Sequence, residues 1–239
     1  MSQLMDPDID TPPVKLPKTP VLITAATKWE AEPLARALGL KRASPTRWEG
    51  SYAGRSITLL KTGIGAKNTA DALTFNPQDF GFALSAGLCG AMQKEAKAGD
   101  IVVDAREADL DLVKPLRETA LKLALPFHFG KILHTNIVLK PAAKKALGDE
   151  QRALACDMET AAVRRWANGK THAIGVRVVL DELHEEIPSD APEGEDTLSL
   201  AKYALTHAAS LPRLINTGMR SGRAMKTLSK FLKLYLETI

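Results

Sequence analysis

Three acidic residues stand where apolar segments of the chain end. Glu30 lies in the first turn of a predicted helix that follows the apolar run 21–26, Glu159 follows a short apolar run, and Asp181 directly follows the run 173–180. Each residue alone is explained as a helix-start or loop acid. An unpaired charge beside buried segments is costly, however, and parallel sheets bind ligands at the carboxyl ends of their strands. Together the three carboxyl groups predict one site with acid–base chemistry.

Two loops of small residues supply further candidates. They span 62–65 and 85–90, and each follows a predicted strand. Glycine at such a position lets backbone N–H groups approach an anion or a sugar. The first loop lacks the spacing of a P-loop or a dinucleotide fingerprint, so it is unspecific as a motif. The candidate binding residues in the two loops are Gly63, Gly65, Ser85, Ala86 and Gly87.

The segment 153–182 predicts the elements that hold the second and third acids. A helix is predicted over 160–168, Gly169 ends it, and the run 173–180 is typical of a buried strand. With the apolar run before the helix, this order predicts a strand–helix–strand unit of the kind found in parallel sheets.

The first half of the chain predicts further elements around the first acid. A strand is predicted over 21–26, followed by a helix over 27–40 with Trp29, Leu34 and Leu38 facing inward, and a hairpin turns at Ala53-Gly54.

The second half adds helices and a long loop. Helices are predicted over 110–125, 140–147 and 197–210, and 127–139 holds a strand pair or one bent strand. The acidic, proline-bearing segment 181–196 is a surface loop or a mobile cover, and surface loops are commoner.

Composition restricts the class of protein. The 239 residues carry a net charge of +4, with 45% hydrophobic and 25% charged residues, which is ordinary for a globular α/β domain. No nucleic-acid signature or zinc spacing is present and the five histidines are scattered, so neither nucleic acid, metal nor cofactor is expected. Cys89 and Cys156 lie in apolar contexts typical of buried thiols in a reducing compartment. Residues 1–20 predict a flexible arm without an apolar core, and the expected location is the cytoplasm.

The end of the chain predicts a cation-rich amphipathic helix over 213–238. We expect it to pack on the domain as an outer helix. The alternative is a peripheral membrane contact through 213–239 that serves a lipid-like substrate.

Short motifs over about 21–188 resemble, in order, those of the nucleoside phosphorylase and nucleosidase superfamily. The quoted motifs are Ala25-Ala26-Thr27-Lys28-Trp29-Glu30, Thr62-Gly63-Ile64-Gly65, Ser85-Ala86-Gly87 with Gly99-Asp100-Ile101-Val102-Val103, Asp157-Met158-Glu159 and the run Arg177 to Asp181. The motifs resemble especially those of nucleosidases that act on methylthioadenosine and S-adenosylhomocysteine. Within the superfamily, they look most like those of the hopanoid-associated phosphorylase subgroup, which is linked to removing adenine from adenosylhopane.

The resemblance implies a fold and an organisation. It implies one three-layer α/β/α domain over 21–196 around a twisted, mixed, largely parallel sheet. The C-terminal helices of 197–239 would pack on the same domain. It also implies a homodimer and a small-molecule nucleoside substrate.

The resemblance further implies roles for individual residues. Glu30 would activate water and Asp181 would protonate the base, while Ile137 or Val138 would stand where the family places an aromatic residue on the purine. Met158, Glu159 and Ser85 would bind ribose, and the loop residues Gly63, Gly65, Ala86 and Gly87 would surround the nucleophile or a phosphate.

Departures from the family pattern leave alternatives open. Leu180 replaces the serine that usually precedes the catalytic aspartate, and Asp157 replaces the first glutamate of its motif. Residues 82–84 lack the arginine with which phosphorylases bind phosphate, so hydrolysis is preferred. Lys28 and Lys67 keep phosphorolysis as the runner-up, and a non-catalytic nucleoside-binding protein is the alternative of another class.

Overall fold

Ten strands form one sheet in the part of the chain that the computed structural model describes, which is residues 18–76, 79–106, 108–186 and 211–239, with side chains of the last segment from 218 onward. The strands are β1 (Val21–Ala25), β2 (Lys41–Ser44), β3 (Arg47–Tyr52), β4 (Arg55–Lys61), β5 (Phe82–Ala91), β6 (Ile101–Asp104), β7 (Phe127–Phe129), β8 (Lys131–His134), β9 (Ala153–Asp157) and β10 (His172–Asp181).

Six helices lie in the described residues. They are α1 (Lys28–Ala37), α2 (Ala66–Thr74), α3 (Leu110–Lys122), α4 (Pro141–Gln151), α5 (Thr160–Ala167) and α6 (Leu211–Thr238). The predicted helix over 197–210, most of the loop over 181–196 and most of the N-terminal arm lie outside the described residues.

The centre of the sheet is parallel. The strand order is β2-β3-β4-β1-β5-β10-β6-β7, and β4, β1, β5 and β10 run in the same direction. The antiparallel strands β3 and β6 border this group, and β8 and β9 join through β5. The predicted mixed, largely parallel sheet is confirmed. The carboxyl ends of β1 and β10 therefore meet at one edge, where the first and third acids follow.

Helices cover both faces of the sheet because successive strand residues point to opposite sides. On one face Leu34 of α1, Leu116 of α3 and Phe231 of α6 pack into the larger core. On the other face Leu73 of α2 and Val163 of α5 pack against the strands. This arrangement confirms the predicted three-layer fold.

The predicted loop over 85–90 is wrong, because β5 continues through it to Ala91. Small residues have low strand propensity, so the segment is typical of a loop by local preference. Pairing decides otherwise: β10 lies parallel to β5 from Phe82 to Gly90. Tertiary contacts thus override the local preference.

The predicted parallel strand–helix–strand unit is also wrong in its geometry. The strand, helix and strand are present as β9, α5 and β10, but β9 pairs antiparallel with β5 whereas β10 pairs parallel with it. The contact between β9 and β5 involves the register pairs Gly90 with Cys156 and Ala91 with Ala155. The two strands flanking α5 therefore run in opposite directions.

The predicted inward face of the first helix is correct except at its start. Leu34 and Leu38 are buried, whereas Trp29 is 54% exposed and lies under the Lys28 ammonium, 4.6 Å from the ring centroid. The buried positions begin with Glu30 and Ala31, which leaves Trp29 on the solvent side. The predicted hairpin at 53–54 is confirmed by the antiparallel pairing of β3 with β4.

The C-terminal helix α6 buries its apolar face in the larger core. The buried apolar residues are Ala224, Met225, Leu228, Phe231, Leu232, Tyr235 and Leu236. Lys226, Lys230 and Lys233 face solvent. A membrane surface could not contact this apolar face without unpacking the helix, so the packed outer helix is confirmed for the residues from 224 onward. Within the described chain no helix combines the length and apolarity needed to cross a bilayer.

Replacing Phe231 with alanine should lower the free energy of unfolding by about 3–5 kcal/mol. Phe231 is fully buried and its ring stacks on Phe127 with centroids 5.9 Å apart. Urea denaturation measures the change, with Met219→Ala, at a residue 55% exposed on the same helix, as the control. A loss below about 1 kcal/mol for Phe231→Ala would contradict the packing of α6 on the sheet.

Candidate active site

A cavity of about 270 Å³ lies at the sheet edge where the three acids were predicted to meet. Its lining includes six of the residues predicted for the site: Glu30, Ile137, Val138, Met158, Glu159 and Asp181. The three acids are buried, with 4% of Glu30 and 6% each of Glu159 and Asp181 exposed. The carboxyl groups from three distant parts of the chain thus converge on one small cavity.

Glu30 is held by backbone N–H groups at the start of α1. Its Oε2 accepts hydrogen bonds from the amides of Ala26 and Thr27, both at 3.0 Å, and its Oε1 accepts one from the amide of Leu88 at 2.8 Å. Thr27 caps the helix and forms a capping box with Glu30. The local fold therefore fixes the Glu30 carboxyl group beside the cavity.

Gly87 permits this arrangement by leaving space beside the strand. A Cβ atom at Gly87 would lie 2.3 Å from Oε1 of Glu30 and 2.6 Å from Nη1 of Arg177. Any larger residue would displace both buried side chains. Gly87 therefore makes room for these two side chains.

Glu159 lies between a glycine loop and a buried cation. Its Oε1 accepts a hydrogen bond from the amide of Gly65 at 2.9 Å, and its Oε2 lies 3.5 Å from Nη2 of Arg177. Gly63 and Gly65 have φ angles of 84° and 90°, which the sharp turn before α2 requires. Burial raises the pKa of Glu159 to about 7, with contributions from Asp157 and Glu30 against the opposing effect of Arg177. The predicted glycine loop over 62–65 therefore contacts the site through the backbone N–H group of Gly65.

Arg177 is a central residue of the site that the sequence patterns did not predict. It is 1% exposed, and its Nη2 lies 2.6 Å from Oδ2 of Asp157 and donates to Ser85 Oγ at 2.7 Å and to Thr160 Oγ1 at 3.2 Å. The signal was present, because an arginine inside an apolar strand must be paired when it is buried. Its partners could not be read from the sequence.

Asp181 faces a buried lysine that the sequence patterns also did not predict. Lys144 of α4 is 1% exposed, and its Nζ donates to Oδ2 of Asp181. Burial raises the pKa of Asp181, and the hydrogen bond from Lys144 opposes this rise. Nothing in the local sequence distinguishes Lys144 from Lys145, which is exposed and pairs with Asp149 at 2.9 Å.

Several predicted site residues lie away from the cavity lining. Ser85 and Ala86 are buried within β5, where Ser85 accepts from Arg177, so neither is placed to contact a ligand in the cavity. Gly63, Gly65 and Gly87 also lie outside the lining. Ser85, Gly65 and Gly87 instead support Arg177, Glu159 and Glu30. Gly87 is small because Glu30 and Arg177 occupy the space beside it, whereas Gly65 is required by its positive φ angle. Ser85 supplies a hydroxyl oxygen that accepts from Arg177.

The predicted base-binding residues lie at the rim. Ile137 is 67% exposed and Val138 is 46% exposed, and Ile64, which lines the same cavity, is 44% exposed. This exposure gives the opening an apolar border. The thiols Cys89 and Cys156 line the cavity and are buried as predicted. In the described part of the chain no group of three or more His, Cys, Asp or Glu residues is arranged to hold a metal ion.

Sequence comparison with known proteins identifies relatives of low identity. No protein-family model matches the chain. A DeoD-type purine nucleoside phosphorylase of Colwellia psychrerythraea is 27% identical over 136 residues, which cover 48% of this chain and 58% of that protein. The same type of enzyme from Bacillus cytotoxicus is 24% identical over 174 residues, covering 63% of this chain and 74% of its own length. The match to the Colwellia protein thus spans little more than half of that relative's length.

Solved structures of low sequence identity share the fold. A 5′-methylthioadenosine/S-adenosylhomocysteine nucleosidase of Campylobacter jejuni superposes with a TM-score of 0.70 at 16% identity, covering 92% of this chain and 100% of that one. A futalosine hydrolase of Helicobacter pylori gives a TM-score of 0.68 at 17% identity, covering 92% and 97%. The chain therefore has the fold of these nucleosidases and sequence similarity to purine nucleoside phosphorylases.

The raised pKa of Glu159 should make its contribution to stability depend on pH. A carboxyl group with a pKa of about 7 in the folded state and 4.5 in the unfolded state stabilises the fold most below pH 4.5, and this contribution is lost as the pH rises through 7. The stability difference between wild type and Glu159→Gln should therefore shift by about 3 kcal/mol against the wild type between pH 4.5 and 7.5.

Urea denaturation across that pH range measures the difference. Glu118→Gln, at an exposed position of α3, is the control and should show no such dependence. A difference between wild type and Glu159→Gln that stays constant with pH would contradict the assigned environment of Glu159.

Proposed function

We propose that this protein is a nucleosidase that hydrolyses the N-glycosidic bond of an adenosine-type nucleoside and releases the purine base. The observation that carries the proposal is the convergence of buried Glu30, Glu159 and Asp181 on one cavity of about 270 Å³. Small-molecule sites usually measure roughly 300–1,000 Å³, and this cavity is close to the lower end of that range. It therefore suits a small ligand such as a nucleoside. The shared fold of nucleosidases and the partial similarity to nucleoside phosphorylases support the same class of reaction.

The three acids have different surroundings, and these suit different tasks. Breaking the bond between C1′ and the purine passes through an oxocarbenium-like state, as in glycoside hydrolysis, where two carboxyl groups share the work. Burial raises the pKa of Asp181, which favours the protonated form that can donate to N7 of the purine. As the bond breaks, the electron pair goes to the base, which takes that proton.

Glu30 is the residue we assign to the nucleophile. Water adds to C1′ and passes a proton to the Glu30 carboxylate, which the N–H groups of Ala26, Thr27 and Leu88 hold in place. Glu159 and Met158 also line the cavity, and we assign them to the ribose. Hydrogen bonds from ribose hydroxyl groups to Glu159 would anchor the sugar as it becomes positively charged.

The cations near the cavity favour water over phosphate as the nucleophile. Of the described residues, Lys144 is the cation on the cavity lining, and it is bound to Asp181. The guanidinium of Arg177 is engaged by Asp157 and Ser85. Of the two lysines that kept phosphorolysis open, Lys67 is exposed and pairs with Asp71 at 2.8 Å, and Lys28 lies over the ring of Trp29. A phosphate ion would normally be bound by a guanidinium group free to form paired hydrogen bonds, so these engagements support hydrolysis. Phosphorolysis remains the second candidate because the sequence relatives are phosphorylases.

The apolar rim supports a substrate with an apolar group on C5′. Ile64, Ile137 and Val138 are all partly exposed at the opening, where a substituent would leave the cavity. A small thioether and a triterpenoid such as that of adenosylhopane are the two sizes to compare. The homodimer and the cytoplasmic location expected from the sequence stay predictions.

The purified protein should release adenine in buffer free of phosphate. The substrates to compare are methylthioadenosine, S-adenosylhomocysteine, inosine, futalosine and adenosylhopane, with chromatography of the free base as the readout. At least one adenosine-type substrate should be cleaved at the same rate with and without phosphate. Base release that requires phosphate would overturn hydrolysis, and no release from any substrate in either buffer would overturn the enzymatic function.

Matched variants connect that activity to the site. Glu30→Gln should lower kcat by about 10²–10⁴-fold because it removes the general base. Glu32→Gln changes an exposed carboxylate on the same helix and should leave kcat unchanged. Equal rates for the two variants would contradict the role of Glu30.

A further inference from the structure

Lys144 is a buried ammonium group in contact with the segment that carries Asp181. Its Nζ donates to Oδ2 of Asp181, to the carbonyl oxygen of Glu182 at 3.0 Å and to that of Glu185 at 2.8 Å. An ammonium group has three N–H donors, and all three have an acceptor here. This full set of partners distinguishes Lys144 from Lys145, the surface lysine of the same helix.

The segment following β10 is fixed from other sides as well. The amide of Glu182 donates to Oε2 of Glu185 at 2.8 Å, and the guanidinium of Arg220 binds both oxygens of Glu185 at 2.8 and 2.7 Å. The amide of Ala98 donates to Oε1 of Glu182 at 3.3 Å. Helix α4, helix α6 and the loop before β6 therefore all hold the residues that follow Asp181.

We propose that Lys144 is a positioning residue for the acid of the reaction: it binds Oδ2 of Asp181 and thereby presents Oδ1 to the purine. This inference rests on the proposed function. Among the described residues no donor binds Oδ1, and Asp181 lines the cavity. The preceding residue, Leu180, also lines the cavity and has no hydroxyl group with which to orient its neighbour. The lysine reaches the carboxyl group from a different element of the fold.

The charge of Lys144 also sets when Asp181 holds a proton. The charged or titratable groups around Asp181 are Lys144 on α4, Cys156 on β9, Cys89 on β5, Glu185 in the following segment and Arg220 on α6. Lys144 lowers the pKa of Asp181 against the effect of burial. Without the ammonium group, the effect of burial on Asp181 would be less compensated, and the pKa of Asp181 would rise. Because the acid acts in its protonated form, the alkaline limb of the rate profile would move to higher pH.

A double-mutant cycle on kcat tests the proposal with Lys144→Met, Asp181→Asn and the double variant. Lys144→Met should lower kcat by about 10–100-fold in the wild-type background, as expected for a misplaced reacting group, with little change in KM. In the Asp181→Asn background the same change should alter kcat less than about threefold, because the group it positions is already gone.

The alkaline limb of the kcat profile of Lys144→Met should shift to higher pH, and Lys144→Arg, which keeps the charge, should restore the wild-type limb. Lys145→Met, at an exposed lysine on the same helix, is the control.

The outcomes separate this inference from the function on which it rests. A wild type that cleaves no nucleoside overturns the proposed function and, with it, the catalytic part of this inference. The other case is an active wild type in which Lys144→Met lowers kcat by the same factor in both backgrounds, or leaves the alkaline limb of the pH profile unchanged. Either result overturns the role of Lys144 alone.

Thermal denaturation of the same variants gives a readout that needs no activity. Lys144→Met leaves the Asp181 charge buried without its cation and should lower Tm, and the added Asp181→Asn change should recover part of that loss. Additive effects on Tm would contradict a coupled pair.

Discussion

The site depends on burying several carboxyl groups at one edge of the sheet, and the guanidinium of Arg177 makes this feasible. Isolated buried carboxylates are costly, and an arginine without partners in the middle of β10 would be equally costly. Arg177 lies 2.6 Å from Asp157 and 3.5 Å from Glu159, with both side-chain carboxyl groups almost wholly buried. Each charge thus permits the burial of the others, and removing one partner would leave the rest uncompensated.

Two separate cations divide the acids into two environments. Arg177 pairs with Asp157 and Glu159 from β10, whereas Lys144 pairs with Asp181 from α4. Glu30 is held chiefly by backbone N–H groups at the start of α1. Carboxyl groups in different surroundings hold their protons differently, which is how one cavity can contain both a proton donor and a proton acceptor. The proposed hydrolysis uses this difference.

The sequence was sufficient to predict the fold class and the convergence of Glu30, Glu159 and Asp181. The fold class and the meeting of Glu30 with Asp181 follow from local signals, since apolar runs identify strands and the ends of parallel strands meet at one edge. Glu159 reaches the same edge after β9, which runs antiparallel to β5. The continuity of β5 and the direction of β9 were predicted wrongly because pairing between distant segments, and not local preference, decides them.

The cations were harder to predict than the acids. Arg177 gave a signal by interrupting an apolar strand, but its partners Asp157 and Ser85 come from other parts of the chain. Lys144 gave none, because Lys144 and Lys145 have the same local sequence context and only the rotation of α4 against β9 buries the first. Sequence patterns identify which groups are charged, whereas packing decides which charges are paired.

A crystal structure of Asp181→Asn with bound methylthioadenosine tests the central claim most directly, because it shows whether the three acids surround one nucleoside. We expect ribose hydroxyl groups within about 3.2 Å of the Glu159 carboxyl group, N7 of the purine facing residue 181 and a water molecule between Glu30 and C1′. A nucleoside bound outside the cavity, or one whose ribose does not contact Glu159, would contradict this claim.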